Sequence, residues 1–160
     1  MVSINMSIDD EFETPPQLFK DLCYKYRVFP KLDVCCSKEN TLCEYYYTKE
    51  MNGLEQQWLA FTDWNNKHDE GTAVDVWCNP PHSITGKFVE KAYNEWRQNN
   101  INVLMIIPAN TVSSKFWHKY IEGHAEYHAQ PQGRIKFNKQ KQPTKYQARN
   151  AYMVVIWRVR

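Results

Sequence analysis

The sequence predicts an α/β domain whose sheet is mostly parallel, with helices on both faces and an antiparallel hairpin at the C-terminal end. Strand-like apolar runs alternate with amphipathic segments until the last third of the chain, where two β-rich segments flank a polar basic stretch. Residues 101–107 form a continuous apolar run, which is typical of a strand buried on both faces. The length of 160 residues matches one domain, so we predict a single domain over 1–160 with a flexible acidic leader over 1–12.

The first half of the chain predicts one helix and two strands. Residues 14–17, Thr-Pro-Pro-Gln, have the pattern of a helix start, with Thr14 as the N-cap and Pro15 at the first helical position. Apolar residues then recur at helical spacing, which predicts an amphipathic helix over 15–27. The two strands are expected over 31–35 and 45–48.

The second half predicts the remaining elements. A β-branched and aromatic run over 73–78 ends at Asn79-Pro80-Pro81, because two prolines lack the N–H groups that would continue a strand. Apolar stripes predict a helix over 86–98 and another around 116–121. Further strands are expected over 101–107, 125–128, 134–137 and 151–159.

The composition excludes several classes of protein. A hydrophobic content of 42% with 14% aromatic residues is too high for a disordered chain and can supply a core. No apolar run approaches the roughly 18 residues of a membrane-spanning helix, and the polar N-terminus does not resemble a signal peptide. We therefore expect a cytoplasmic protein without membrane contact. Its five cysteines include no C-x-x-C pair, which favours reduced thiols over disulfides and predicts no bound metal.

The net charge of +2 hides two halves of opposite sign. Residues 1–80 carry a net charge of −7, whereas residues 81–160 carry +9. From Tyr127 to the C-terminus there are 8 basic residues and no acidic residue. Such a separation of charge in one small domain predicts two kinds of partner, one attracted to carboxylates and one anionic.

The clearest local signal is the turn Asn79-Pro80-Pro81-His82, which directly follows a predicted strand. In α/β sheets, ligands bind beyond the carboxyl ends of the strands. A rigid Pro-Pro turn would hold the Asn79 side chain and the following backbone carbonyl in fixed directions, and two acceptors at one point suit a flat amino group. The alternative is a strand-terminating turn that binds no ligand.

This turn resembles the [D/N/S]-P-P-[Y/F/W] signature of amino-methyltransferases, which methylate an exocyclic or amide nitrogen with S-adenosylmethionine. Further segments resemble, in order and spacing, the small DNA adenine-methyltransferase (Dam) family of phages and prophages. These segments are Glu13-Thr14-Pro15-Pro16, Leu32-Asp33-Val34-Cys35-Cys36-Ser37, Asn40, Cys43, Tyr46-Tyr47-Thr48, Gly53-Leu54, Val76-Trp77-Cys78-Asn79-Pro80-Pro81, Pro108-Ala109 and Gly133-Arg134-Ile135-x-Phe137. The resemblance implies a class I, Rossmann-like methyltransferase fold, and the short chain implies no separate target-recognition domain.

The resemblance also implies a site for S-adenosylmethionine as cofactor. Thr14 and Pro15 would lie near the carboxylate end of the cofactor, where the N–H groups of a helix start suit an anion. Asp33 would accept hydrogen bonds from the methionine ammonium, with the backbone of Val34 and Cys35 beside it. Asp63 is the expected residue for the adenine moiety of the cofactor. The alternative for both acids is an exposed position without a ligand.

In the implied reaction, the methyl acceptor is the exocyclic 6-amino group of an adenine in double-stranded DNA. This nitrogen is a poor nucleophile because its lone pair is delocalised into the ring. Hydrogen bonds to Asn79 Oδ1 and the Pro80 carbonyl would favour a tetrahedral nitrogen and aim its lone pair at the methyl group, which stabilises the transition state without strong base catalysis. Pro81 would keep the turn rigid, and the adenine would be flipped out of the duplex.

The flipped base would stack on the fourth residue of the turn, His82, where the family pattern has a larger aromatic residue. An imidazole can stack on a base, but it is smaller and titrates near neutral pH. The alternative is that His82 is a turn residue without ligand contact.

Six basic residues are the expected contacts to DNA phosphates. They are Arg134, Lys136, Lys139, Lys141, Lys145 and Arg149. A basic hairpin loop of this kind could grip the DNA backbone, which supplies affinity without sequence information. The alternative is an ordinary solvated surface, but the absence of acidic residues from this stretch favours nucleic acid.

Two other functions are compatible with these residues. The same turn serves enzymes that methylate an RNA base or a protein glutamine, and the basic stretch favours nucleic acid over protein without separating DNA from RNA. The third interpretation is a relative without catalytic activity that binds nucleic acid, with His82 as its sign.

We predict that His82→Tyr retains or raises methylation, because a tyrosine ring stacks more extensively on a base and does not titrate near neutrality. The pH profile of the rate should become flatter between about pH 6 and 8, which initial rates measured across that interval would show. A loss of activity as large as that of Asn79→Ala would refute the stacking role.

Overall fold

The computed structural model of the chain describes residues 13–59, 73–129, 138–139, 142–143 and 151–159. Two α-helices and eight strands occur within these residues: α1 (Pro16–Tyr26), β1 (Leu32–Cys36), β2 (Tyr45–Thr48), β3 (Val74–Cys78), α2 (Thr85–Asn99), β4 (Ile101–Pro108), β5 (Glu126–Ala129), β6 (Asn138–Lys139), β7 (Gln142–Pro143) and β8 (Tyr152–Trp157). Most bounds lie within one or two residues of the predicted ones. The leader and the predicted strand over 134–137 lie outside the described residues.

Six strands form one sheet in the order β2-β1-β3-β4-β8-β5. Strands β2, β1, β3 and β4 pair in parallel, whereas β8 lies between β4 and β5 and is antiparallel to both. The sheet is therefore mixed, and the predicted mostly parallel sheet is wrong in this respect. The apolar run of β8 shows that it is a buried strand, but such a run has the same pattern in either direction and for any neighbours. Strands β6 and β7 form a separate antiparallel pair.

Helices cover both faces of the sheet, as predicted. On one face, Phe88, Val89 and Ala92 of α2 are buried in a cluster with Val103 and other strand residues. On the opposite face, Leu22, Cys23 and Tyr26 of α1 belong to a second cluster with Leu104, Ile106 and Trp77. Successive residues of β4 thus enter different clusters, which explains why the apolar run of this strand shows no alternation. None of the described helices is long and apolar enough to cross a membrane.

The start of α1 differs from the prediction. The helix begins at Pro16, Pro15 occupies the position before it, and no side chain caps its first turn. Pro15 and Pro16 have no backbone N–H, so fewer donors at this helix start need a cap. Thr14 is therefore not the N-cap. Its hydroxyl oxygen instead accepts a hydrogen bond from Asn79, which lies at the end of β3.

The predicted helix around 116–121 is mostly a single π-helical turn, Trp117–Ile121. Trp117, Tyr120 and Ile121 are buried in this turn against the cluster that includes α2. The apolar spacing thus identified the buried face correctly, although the spacing does not distinguish an α-helix from a wider turn.

Strands β1 and β3 are neighbours, and the chain leaves them in opposite directions across the sheet. From β1 it passes outward to β2, whereas from β3 it passes to β4. The carboxyl ends of β1 and β3 therefore lie at a topological switch point, where a crevice opens because the connections diverge. The fold places the residues after Cys36 and Cys78 at this crevice.

Candidate functional site

An open cleft of about 260 Å³ lies at the switch point between β1 and β3. Its lining residues come from the segment before α1, from β1 and the loop after it, and from the end of β3. They are Glu13, Thr14, Asp33, Cys35, Cys36, Asn40, Leu42, Trp77 and Asn79. This set contains two carboxyl groups and no basic side chain. The cleft therefore suits a ligand with positive charge.

Asp33 is the most buried acid of the cleft, with 2% of its surface exposed. Its Oδ1 accepts a hydrogen bond from the backbone N–H of Cys35, and its Oδ2 accepts one from that of Leu42, each at 3.2 Å. Burial raises the pKa of Asp33 to about 6, although both backbone hydrogen bonds oppose this rise. Asp33 is thus ionised at neutral pH, but its charge is only partly compensated by protein groups.

The loop after β1 folds back over Asp33. Asn40 Oδ1 accepts a hydrogen bond from the Ser37 N–H at 2.7 Å, and the Asn40 N–H donates to Ser37 Oγ at 3.2 Å. The Thr41 N–H also donates to the Ser37 carbonyl at 3.1 Å. These bonds form a tight turn that brings Leu42 to the Asp33 carboxylate. The loop thereby forms one wall of the cleft.

Asn79 stands on the opposite wall, at the first position after β3. Its Nδ2 donates a hydrogen bond to Thr14 Oγ1 at 2.8 Å. Within the described part of the chain, no hydrogen bond reaches Asn79 Oδ1. The following residues, Pro80 and Pro81, are buried, and the Pro81 carbonyl accepts a hydrogen bond from the Ile84 N–H at 3.1 Å. The turn is therefore fixed on both sides of the Asn79 amide.

His82 lies beside the cleft and does not line it. The residue is exposed as a whole, and its Nε2 contacts the hydroxyl group of Tyr152, with the two ring centroids 5.7 Å apart and the rings tilted by 42°. Tyr152 is the first residue of β8 and only 2% exposed. The antiparallel pairing of Pro108 with Tyr152 brings this residue to the same edge of the sheet as Asn79.

The structure gathers four of the predicted site residues into one cleft: Thr14, Asp33, Cys35 and Asn79. Pro15, Val34, Pro80 and Pro81 are adjacent in the chain but do not line the cleft, and Val34 is buried in the core. Six other predicted residues, Asp63, Arg134, Lys136, Lys141, Lys145 and Arg149, lie outside the described residues. Lys139 is described through its backbone alone, in β6.

Sequence reasoning missed five residues near the site. Glu13, Asn40 and Trp77 occur in the segments that resemble the family, yet that resemblance assigned them no role. Leu42 and Tyr152 carried no signal, because the loop after β1 and the sheet order bring them to the site. Asp75, in contrast, has a structural role, because its carboxylate accepts hydrogen bonds from the Phe29 N–H and Asn102 Nδ2.

The cysteines near the cleft are neutral thiols. Burial is the main cause that raises the pKa of Cys35, Cys36 and Cys43, and the Asp33 carboxylate raises each of them further. Cys35 Sγ lies 3.8 Å from Cys78 Sγ. A protonated thiol is a poor metal ligand and a poor nucleophile. Among the described residues, no group of three His, Cys, Asp or Glu side chains could hold a metal ion.

The segment that contains the predicted basic residues is anchored at the same edge of the sheet. It leaves from Ala129, the last residue of β5, which pairs with Met153. It returns at Ala151, whose carbonyl accepts a hydrogen bond from the Ala109 N–H at 2.7 Å, directly after β4. Since β4 is parallel to β3, both anchors lie on the side of the sheet where Asn79 lies.

The sequence matches the family described as DNA N-6-adenine-methyltransferase (Dam) over residues 3–160. It is also similar to the DNA N-6-adenine-methyltransferase of Escherichia phage T1, with 33% identity over 110 residues. The matched region is 69% of this chain, and the chain spans 40% of the length of that relative. Because the family match extends over nearly the whole chain, the protein belongs to the DNA N-6-adenine-methyltransferase (Dam) family.

Proposed function

We propose that the protein transfers a methyl group from S-adenosylmethionine to the exocyclic 6-amino group of adenine in double-stranded DNA. The observation that carries this proposal is the Asn79 amide at the carboxyl end of β3, beside an acidic cleft, in a chain of the Dam family. The phage T1 relative is named for the same activity. The parallel strands β2, β1, β3 and β4 with helices on both faces support a class I methyltransferase fold.

The cleft has the chemistry that S-adenosylmethionine requires. The cofactor supplies an electrophilic methyl group on a sulfonium, and it also carries an ammonium. Asp33 and Glu13 place two carboxyl groups in the cleft without a basic residue, which favours such cations. Its volume of about 260 Å³ includes space open to solvent, so this cleft suits one part of the cofactor. Asp63 is our candidate for the cofactor's adenine.

The acceptor side depends on the turn after β3. Asn79 Oδ1 and the Pro80 carbonyl would accept the two hydrogens of the target amino group and turn its lone pair towards the cleft. The buried prolines and the Thr14 contact limit the movement of these acceptors, so little reorganisation is needed when the nitrogen becomes tetrahedral. His82 would stack on the flipped base at the exposed side of the turn.

DNA would lie along the sheet edge that carries this turn. The basic residues between Ala129 and Ala151 are our candidates for phosphate contacts, because both anchors of that segment lie at this edge. The charge separation in the sequence then corresponds to two ligands, a cationic cofactor and an anionic polymer.

The proposal is tested with cofactor labelled on its methyl group, which is offered in parallel to duplex DNA, single-stranded DNA, RNA and protein. We expect label in duplex DNA, and nucleoside analysis should identify it as N6-methyladenine. Asn79→Ala should reduce the rate by at least about 100-fold, because it removes an acceptor that acts in the transition state. Asn94→Ala on the surface of α2 is the matched control and should retain the wild-type rate. Label in RNA or protein alone would refute the proposed substrate, and a failure to bind the cofactor would favour a binding protein.

Cofactor affinity should depend on pH through Asp33. The ionised carboxylate attracts the ammonium, and its pKa of about 6 means that it is protonated below that pH. Calorimetric affinity for S-adenosylhomocysteine, which has the same ammonium, should therefore rise from pH 5 to pH 7, below the α-amino pKa of about 7.7–8.0. Asp33→Asn should bind more weakly and lose this dependence, whereas Glu13→Gln should keep a midpoint near pH 6. An unchanged pH dependence in Asp33→Asn would contradict the assignment.

The salt dependence of DNA binding tests the basic segment. Each lost phosphate contact lowers the slope of log affinity against log salt by about 0.9, so Lys139→Gln with Lys141→Gln should lower it by up to about 1.8. Fluorescence anisotropy with a labelled duplex at several salt concentrations measures this slope. The matched control, Lys25→Gln with Lys119→Gln, removes the same charge from α1 and the π-helical turn and should leave the slope unchanged. Equal slopes for the two double variants would contradict the assignment.

A further inference from the structure

The orientation of the Asn79 side chain decides whether it can accept a hydrogen bond from an amino group. An asparagine amide presents an oxygen acceptor at one end and an N–H₂ donor at the other. If Asn79 turned its amide by half a rotation, two donors would face each other and the target nitrogen would be repelled. A contact that holds the amide in one orientation would therefore affect the rate of the proposed reaction directly.

The structure contains such a contact, a hydrogen bond between Asn79 and the wall formed by the residues before α1. Thr14 Oγ1 accepts the hydrogen bond from Asn79 Nδ2 at 2.8 Å, which leaves Oδ1 as the end of the amide that is available to a ligand. Thr14 is 7% exposed, and it is followed by Pro15 and Pro16, whose rings restrict the backbone. Because α1 is packed on the sheet through Leu22 and Cys23, this acceptor has a fixed position.

We propose that Thr14 is a positioning residue, whose hydroxyl oxygen holds the Asn79 amide with Oδ1 towards the target amino group. This role rests on the proposed methyl transfer. It differs from the cofactor contact that the family resemblance implies for Thr14, because it predicts an effect on the chemical step and not on cofactor affinity.

Two substitutions at position 14 separate the hydroxyl from the shape of the side chain. Thr14→Val has nearly the same shape but no acceptor, whereas Thr14→Ser keeps the hydroxyl and loses a methyl group. Thr48→Val is the matched control, because the Thr48 hydroxyl lies at the end of β2 and accepts a hydrogen bond from the Met51 N–H. The full chain is used throughout, and circular dichroism confirms that each variant is folded.

We expect Thr14→Val to lower kcat by about 10-fold, because it removes the hydrogen bond that holds the Asn79 amide in place, and the loss of one neutral hydrogen bond changes an equilibrium by roughly that factor. The calorimetric Kd for S-adenosylhomocysteine should stay within about twofold of the wild-type value. Thr14→Ser should recover most of kcat, and Thr48→Val should equal the wild type. A weaker Kd with unchanged kcat would overturn the proposal and assign Thr14 to the cofactor. An unchanged kcat in Thr14→Val would also overturn it.

A second measurement does not depend on activity. In ¹⁵N-labelled wild-type protein, the side-chain amide protons of Asn79 should exchange with solvent more slowly than those of exposed Asn100, because one of them is held by Thr14. Thr14→Val should remove this protection and Thr14→Ser should keep it. Rapid exchange of the Asn79 amide in the wild type would refute the hydrogen bond. If the wild type transferred no methyl group but showed this protection, the proposed function would fail while the Thr14–Asn79 contact stood.

Discussion

Asp33 carries a buried carboxyl group near the start of β1, and its two oxygens accept hydrogen bonds from the backbone N–H groups of Cys35 and Leu42. An ionised group in this position is costly unless it is hydrogen-bonded, so the loop after β1 has to return to it. The closed turn between Ser37 and Asn40 makes that return possible. One buried charge thus shapes the cleft wall and leaves negative charge for a cationic ligand. Burial is the main cause that raises the pKa of the thiols of Cys36 and Cys43, and the Asp33 charge raises it further.

The opposite wall, around Asn79 and Thr14, consists of uncharged residues whose backbone rotation is restricted. Two prolines follow Asn79 and two follow Thr14, so both partners of the hydrogen bond between these residues sit on backbone that rotates little. A transition state that requires two acceptors in fixed directions benefits from such a wall, because no side chain must be ordered during the reaction. In the proposed reaction, the first wall would bind the cofactor and the second would position the acceptor nitrogen.

The mixed sheet would allow a small domain to present both proposed ligands at one edge. Because β8 is antiparallel to β4, it begins where β4 ends, and Tyr152 stands next to the turn that contains His82. The same reversal places both Ala129 and Ala151 at that edge. A parallel strand at the position of β8 would begin at the far edge, and the basic segment would then have to cross the sheet before it reached this strand.

The sequence by itself determined the helices on both faces, most strand positions and the turn at Asn79, because apolar periodicity and proline act locally. It also indicated the family, through short motifs whose order is specific. The insertion of β8 between β4 and β5 and the hydrogen-bond partner of Thr14 were decided by tertiary structure. Strand pairing depends on contacts between residues far apart in the chain, and the Thr14 hydroxyl can cap a helix or bind Asn79 with equal chemistry. The two prolines that follow Thr14 reduce the need for a cap, and the packing of α1 against Trp77 of β3 brings Thr14 to Asn79.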